Sequence, residues 1–434
     1  MPDWTEHVIW WHVYPLGFVG ADTTGHESTP THRLRQLESW LDYLLELGAN
    51  GLALGPVFAS RTHGYDTTDY FQVDPRLGDT ADLEHLINEC HRRGIRVMLD
   101  GVFNHVGREF APLRTALADP AAPENALFRR TETGELVSFE GHDALVTLNH
   151  DNPAVADLVT AVMTHWLHRG IDAWRLDAAY AMPAAFWAGV LPRVRAQHPD
   201  VYVLGEVLHG DYTGFVADSG VDTVTQYELW QAIWHALQER NFFELDWALT
   251  RHTEFLGTFV PYTFVGNHDV TRLASQIHDE RHHPHALVLL LTLGGTPAIY
   301  YGDEQGLRAV KEQRAGGDDA IRPAYPDHPA DRTADQNPAK QNPAGRATFV
   351  LHQELIGLRR RHPWLHAATT RPLTLTNTGY VYEVTDGSHR LVVALNLGDD
   401  TLPVPTDAAE RLAGAAEQAQ AGHTVPPHGW AIFG

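Results

Sequence analysis

Acidic residues, histidines and an arginine recur where apolar, strand-like stretches of this sequence end. These residues are Asp100, His105, Arg175, Asp177, Glu206, His268 and Asp269. Residues two apart on a strand point to the same side, so Arg175 can lie beside Asp177, orient its carboxylate and keep it ionised. A carboxylate held in this way is suited to act as a nucleophile or an electrostatic partner, and is poorly suited to donate a proton.

Strand-like runs alternate with helix-like runs along most of the chain, which predicts parallel strands joined by crossover helices. The predicted strands are residues 8–14, 51–58, 95–103, 170–177, 201–207, 223–229, 258–265 and 297–301. Leucines on one face predict the first helix at 34–47, and the last helix is predicted at 352–361. Eight such pairs predict an α/β fold of the TIM (β/α)8 type, whose active site lies at the carboxyl ends of the strands.

Two segments interrupt or follow this alternation. Residues 106–148 have scattered Pro, Gly and charged residues and no clear period, which predicts a short inserted domain after strand three. The barrel is therefore assigned to residues 1–105 and 149–366, with a long loop over its active face at 306–346. Short alternating runs bounded by turn residues predict a small carboxy-terminal antiparallel β-sandwich domain at 367–434.

Composition limits the classes of partner and the kinds of site that this chain can have. The chain has 434 residues and a formal net charge of −23, which disfavours nucleic acid and anionic lipid. Its single cysteine, Cys90, excludes an internal disulfide and a cysteine-rich metal site. The sequence has no apolar run long enough to span a membrane, and its start does not resemble a signal peptide, so we expect a cytoplasmic protein. The oligomeric state does not follow from the sequence.

Four short motifs carry a resemblance to a known family. They are DGVFNH at 100–105, GIDAWRLD at 170–177, GEV at 205–207 and FVGNHD at 264–269, and HGYD at 63–66 adds to them. In this order they resemble glycoside hydrolase family 13, the α-amylase family. The resemblance implies a retaining hydrolase that acts on α-glucosidic bonds of small malto-oligosaccharides or related α-glucosides, with the oligosaccharide as its partner.

The resemblance also implies roles for three carboxyl groups. Asp177 would be the nucleophile, Glu206 the acid/base and Asp269 a third carboxylate that grips sugar hydroxyls and strains the ring. Retaining hydrolysis uses one ionised and one protonated carboxyl about 5 Å apart. Glu206 has Gly205 and Val207 beside it and no neighbouring cation in the sequence, so we expect it to keep its proton.

Further residues are implied in substrate binding. His105 and His268 would donate to hydroxyls of the sugar at the cleavage point, and Tyr65 would stack on a sugar. Arg175 would be a further substrate-binding residue. Asp66 either bonds a hydroxyl or caps a turn. Many relatives hold calcium with an asparagine where this chain has Asn104. The segment after it lacks a dense run of oxygen ligands, so we expect no metal or other cofactor, with calcium at Asn104 as the alternative.

The residues after the nucleophile motif bear on substrate size. Endo-acting amylases often have Lys-His there, whereas this chain has residues 178–182, AAYAM, which favours short substrates. Residues 148–153 resemble the corresponding stretch of cyclomaltodextrinases and neopullulanases. Two alternatives stay open: a transglycosylase such as a 4-α-glucanotransferase, which uses the same carboxylates, and a non-catalytic sugar-binding member. The retention of Asp177, Glu206 and Asp269 argues against the latter.

Overall fold

A computed structural model describes residues 1–26, 30–314, 316–329, 343–405, 410–419 and 422–434. Its central sheet has eight parallel strands, labelled in chain order: β1 Trp10–Val13, β2 Gly51–Leu54, β3 Arg96–Gly101, β4 Ala173–Leu176, β5 Tyr202–Gly205, β6 Thr223–Val224, β7 Tyr262–Phe264 and β8 Thr296–Tyr300. They pair in the order β6-β5-β4-β3-β2-β1-β8-β7, and a parallel bridge between Thr225 and Tyr262 joins the two ends. The sheet is thus closed, and the predicted TIM barrel is confirmed.

The strands are buried on both faces because successive side chains alternate between the barrel interior and the surrounding helices. Trp10 lies in a small interior cluster with Met98, Tyr202 and Phe264. Its neighbour Trp11 lies in the large outer core, between strands and helices. Both tryptophans are fully buried. The interior is therefore packed with side chains, and open space for a ligand is confined to its ends.

Helices follow each strand. The longer ones are Leu34–Glu38, Leu41–Leu47, Thr80–Arg92, Pro153–Leu167, Ala184–Arg195, Tyr212–Ser219, Tyr227–Glu239, Phe242–Leu256, His283–Thr292 and Pro343–Arg361. Short helical turns occur at Asp3–His7, Pro15–Phe18, Ala179–Ala181, Leu273–Gln276, Glu280–His282, Asp303–Gln305, Asp319–Ile321 and Pro363–Ala367. A hairpin of Phe58–Ser60 and Thr67–Val73 follows β2.

Several predicted elements were wrong in their bounds, among them the strand at 51–58, which ends at Leu54 before a separate strand begins at Phe58. The helix at 34–47 is interrupted where the Ser39 hydroxyl donates to the Gln36 carbonyl, 2.7 Å away, and competes with the helical pattern. The strand at 223–229 ends at Val224, because the Gln226 side chain caps the amide of Leu229 and starts a helix at Tyr227. The last barrel helix begins at Pro343, well before residue 352.

The inserted segment has more regular structure than its sequence indicates. Strands His105–Gly107, Ser138–Phe139 and His142–Thr147 form an antiparallel sheet, with helices at Ala111–Ala118 and Pro123–Leu127. The predicted loop at 306–346 is described only in part, since 315 and 330–342 lie outside the described residues.

The carboxy-terminal part of the chain is an antiparallel β domain, as predicted. One sheet has the strands Thr369–Leu375, Gly379–Thr385, Arg390–Asn396, Trp430–Phe433 and Arg411–Gly414, in that spatial order. The other has Leu402–Val404, Gly422–Val425 and Glu417–Ala419. Residues from both sheets, including Val392 and Val425, share a buried apolar cluster. Among the described residues, no helix is long and apolar enough to cross a bilayer, and the cytoplasmic location stays a prediction.

Candidate active site

The polar residues at the strand ends meet at the carboxyl end of the barrel, because parallel strands present these ends on one side. Asp100 lies on β3, Arg175 on β4 and Glu206 directly after β5. The register pairs Asp100 with Arg175, and Arg175 with Leu204 of β5. Glu206, two residues beyond Leu204, is therefore on the same face of the sheet as Arg175.

Arg175 is the centre of this group. Its Nη1 atom donates to both oxygens of Asp100, at 2.7 and 2.6 Å, and lies 3.3 Å from Oδ1 of Asp177. Its Nη2 atom lies 2.6 Å from Oε1 of Glu206. All four side chains are buried. One guanidinium thus compensates three buried carboxyl groups and fixes their relative positions.

The structure shows the predicted contact between Arg175 and Asp177, but the expectation that Glu206 has no cation beside it is wrong. Arg175 lies closer to Glu206 than to Asp177, because the arginine side chain reaches across the sheet to β3 and β5. Glu206 also accepts the backbone N–H of Ala178 at 2.9 Å and the Tyr227 hydroxyl at 3.4 Å. Its position is therefore set by three donors from different elements.

The surroundings of Asp177 oppose the ionisation that Arg175 favours. Burial and, next, the charge of Glu206 raise the pKa of Asp177 well above its usual range, and Arg175 opposes this shift without cancelling it. Two carboxyl groups in one buried site cannot both ionise cheaply, so the pair favours keeping one proton. A pair with one proton can supply both a nucleophile and an acid.

Asp269 lies in a different electrostatic environment. Its Oδ2 atom is 3.0 Å from Nε2 of His268, and its Oδ1 atom accepts Nη2 of Arg322 at 2.9 Å. Burial alone would raise the pKa of Asp269, but His268 and Arg322 outweigh it and hold the pKa well below its usual range. The side chain is still 32% exposed, facing the open end of the barrel. Asp269 is thus an ionised acceptor within reach of a ligand.

Two aromatic contacts flank these carboxylates. The Tyr65 ring stacks parallel to His268, with centroids 5.7 Å apart, and the Tyr65 hydroxyl contacts Nε2 of His268. His105 stacks on Phe139 of the inserted segment, with centroids 4.6 Å apart. Burial lowers the pKa of His105 to about 3, so its ring is neutral at ordinary pH. Tyr65 and His268 therefore lie beside the carboxylates, since the Tyr65 hydroxyl is 3.4 Å from Oδ2 of Asp100 and Nε2 of His268 is 3.0 Å from Oδ2 of Asp269.

Asp66 and Asn104 are not brought into this group. Asp66 is buried and accepts the amide and hydroxyl of Thr62, at 3.1 and 2.8 Å, which is the turn-capping alternative. Asn104 donates its side-chain amide to Nδ1 of His105 at 3.2 Å. Calcium takes six to eight oxygen ligands, yet no metal-compatible grouping of acids and histidines among the described residues lies near Asn104. The expected absence of calcium stays a prediction.

Sequence reasoning gave no role to four residues that the structure adds to the site: His12, Tyr227, Asn267 and Arg322. His12 on β1 packs edge-on against His268, and Asn267 donates to the Tyr227 hydroxyl at 2.8 Å. Arg322 comes from the loop after β8 and binds Asp269. His12 stands at the end of a predicted strand, which is a signal that could have found it. Arg322 lies in a segment without periodicity, and no local pattern marks it.

Comparisons with known proteins agree with this geometry. Residues 12–142 and 127–371 match the family described as alpha amylase, catalytic domain, and 376–433 match a domain of unknown function, DUF3459. A cyclomaltodextrinase of Geobacillus thermopakistaniensis is 30% identical over an alignment of 477 positions, which covers 100% of this chain and 77% of the relative. A maltogenic alpha-amylase of Bacillus acidopullulyticus is 29% identical over 447 residues, covering 94% and 73%.

Among solved structures, the native debranching enzyme of Nostoc punctiforme superimposes with a TM-score of 0.82 at 26% identity, covering 100% of this chain and 99% of that one. The catalytic-domain match spans most of the chain, and the relatives share its whole barrel. The chain belongs to the α-amylase family of glycoside hydrolases, family 13.

Proposed function

We propose that this protein is a retaining hydrolase of α-glucosidic bonds in small malto-oligosaccharides or cyclodextrins. The observation that carries the proposal is the buried Arg175, which joins Asp177 and Glu206 at the open end of the barrel. The resemblance to a cyclomaltodextrinase and a maltogenic amylase supports the substrate class.

In the first step, Asp177 attacks the anomeric carbon while Glu206 gives a proton to the departing glycosidic oxygen. The bond from carbon to that oxygen breaks, and a glycosyl ester of Asp177 forms. The single proton that the carboxyl pair retains must reside on Glu206 when the substrate is in place. Arg175 stabilises the ionised partner and keeps both groups in position.

In the second step, Glu206 accepts a proton from water, which attacks the same carbon and releases Asp177. Asp269 holds hydroxyls of the sugar ring and favours the flattened, positively charged transition state over the relaxed substrate. The neutral His105 donates to another hydroxyl. His268 orients Asp269 through their 3.0 Å contact.

The inserted segment supports a preference for short substrates. The Glu140 carboxylate accepts the Tyr180 hydroxyl at 2.6 Å, and Tyr180 follows closely on the nucleophile. The same hairpin presents Phe139 to His105. These contacts draw the hairpin against the rim of the site on the side of Asp177. A confined rim of this kind suits a short chain or a small ring better than long starch.

We propose that neither catalysis nor binding requires a metal or another cofactor. The Asn104 side chain bonds Nδ1 of His105, and among the described residues no group of three or more acids and histidines that could hold a metal includes a neighbour of Asn104. The two carboxylates and water suffice for each step. Calcium dependence of activity would contradict this part of the proposal.

The test is a product profile by chromatography on maltose, maltotriose, isomaltose, trehalose, sucrose and cyclodextrins, for wild type and Glu206→Gln. We expect wild type to cleave malto-oligosaccharides or cyclodextrins to glucose and maltose, and the variant to spare them. Longer oligosaccharides formed at high substrate concentration would indicate the transglycosylase instead. Intact substrates with wild type would overturn the proposal and point to a binding protein.

A further inference from the structure

A second cluster of polar side chains lies far from the strand ends, where the barrel meets the antiparallel domain. Asp279 and His282 precede the helix His283–Thr292, and His428 lies in the turn between Gly422–Val425 and Trp430–Phe433. One ligand atom from each of the three lies within 4.8 Å of the others. Asp279 and His282 therefore come from the barrel, and His428 comes from the carboxy-terminal domain.

Two of the three distances within this cluster are close to those between ligands of a tetrahedral metal. Donors about 2.05 Å from such an ion stand roughly 3.3 Å apart. Nε2 of His282 is 3.0 Å from Nδ1 of His428 and 3.8 Å from Oδ2 of Asp279. Shifts of a few tenths of an ångström would bring both distances to the tetrahedral value.

The surroundings of His428 fit the same role. His428 contacts Oδ1 of Asp399 through Nε2, at 2.9 Å, which leaves Nδ1 directed at the cluster. A carboxylate behind a histidine is the usual support of a metal ligand. The ring of His282 is buried, and among the described residues its polar contacts are all on the Nε2 side. His428 also has a left-handed backbone, φ 53°, and its ring centroid lies 5.3 Å from that of His282.

We infer that Asp279, His282 and His428 form a binding site for a zinc-class divalent ion that joins the barrel to the carboxy-terminal domain. In the free protein Arg281 donates to Oδ2 of Asp279, at 2.7 Å, and Arg281 is 60% exposed. The ion displaces this arginine into solvent. On binding, the ring proton of His282 moves from Nε2 to Nδ1, and water completes the coordination.

The test is zinc titration of the chelator-treated full chain by calorimetry, with the melting temperature recorded alongside. Asn tolerates the left-handed conformation and places an amide near Nδ1, so His428→Asn keeps the hydrogen bond while removing the ligand. His282→Gln does the same for Nε2. His32→Asn is the control, since His32 belongs to a separate grouping with Asp79 and Asp82. The single cysteine is buried and does not compete.

We expect one tight equivalent of zinc on wild type and on His32→Asn, with a raised melting temperature, and its loss from both cluster variants. Asp399→Asn, at a position 79% exposed, is expected to bind about 10- to 100-fold more weakly. Absence of tight binding to wild type, or wild-type affinity in either His428→Asn or His282→Gln, would overturn the inference. Loss of binding in His32→Asn would place the ion elsewhere.

Discussion

Arg322 offers the sharpest test of how the site is held together, because it lies outside the barrel strands. Its Nη2 atom donates to Oδ1 of Asp269 and its Nε atom to the carbonyl of His268, both at 2.9 Å. A hydrogen bond to a charged group contributes about 1.5–3 kcal/mol. Asp269 is one-third exposed, so solvent screening favours the lower end.

We therefore expect Arg322→Met to lower kcat/KM on maltotriose by about 10- to 150-fold, with the larger share in kcat. Most of this loss is expected in kcat because Asp269 is proposed to act mainly in the transition state. Arg322 also holds the pKa of Asp269 down. Its removal raises that pKa, and the acid limb of the pH profile moves to higher pH.

Arg308 supplies the matched control for this experiment. It lies in the same loop and is 47% exposed, and its ion pair with Glu280 is at the surface, where such pairs contribute little. Arg308→Met is expected to retain wild-type kcat/KM and pH profile. The reasoning fails if Arg322→Met stays within about twofold of wild type, or if its acid limb does not move while its melting temperature shows a folded protein.

Three further outcomes follow from the buried charges. Arg175→Met leaves Asp100, Asp177 and Glu206 without their cation, and we expect a loss of about 3–5 kcal/mol in the free energy of unfolding, measured with urea; an unchanged midpoint would contradict this. Burial lowers the pKa of His252, His285 and His352 to about 4. Between pH 4 and about 6.5 the unfolded chain then binds more protons than the folded chain. The free energy of unfolding should therefore rise with pH over this range, by up to about 4 kcal/mol per pH unit, and urea midpoints at pH 5 and pH 6 check the sign. Calcium added to chelator-treated protein is expected to change neither kcat/KM nor the melting temperature, since Asn104 is bonded to His105; a gain in either would restore the calcium alternative.

The barrel and the ends of its strands were predictable because they depend on local patterns. Apolar runs of strand length, helical periodicity and glycines placed the strands, and parallel strands bring their carboxyl ends together. That is sufficient to gather Asp100, Arg175, Asp177 and Glu206 at one end of the barrel. The antiparallel carboxy-terminal domain was predicted from short alternating runs, and the α-amylase family from the resemblance of four short motifs; both are confirmed.

The contacts within the site were not predictable in the same way. Whether Arg175 serves Asp177 or Glu206 depends on the register of β3, β4 and β5, which local sequence does not encode. The pKa of Asp177 depends on burial and on a charge from another strand. Arg322 reaches Asp269 across 53 residues of chain from a loop without a period. Each of these is a long-range feature of the fold.

The most direct test of the central claim is to look for the covalent intermediate on Asp177. Glu206→Gln treated with α-maltosyl fluoride needs no acid for departure of fluoride, and it lacks the base for the second step. Mass spectrometry of the digested protein should then show a maltosyl adduct on the peptide that contains Asp177. No adduct, or an adduct on another residue, would contradict the proposed mechanism.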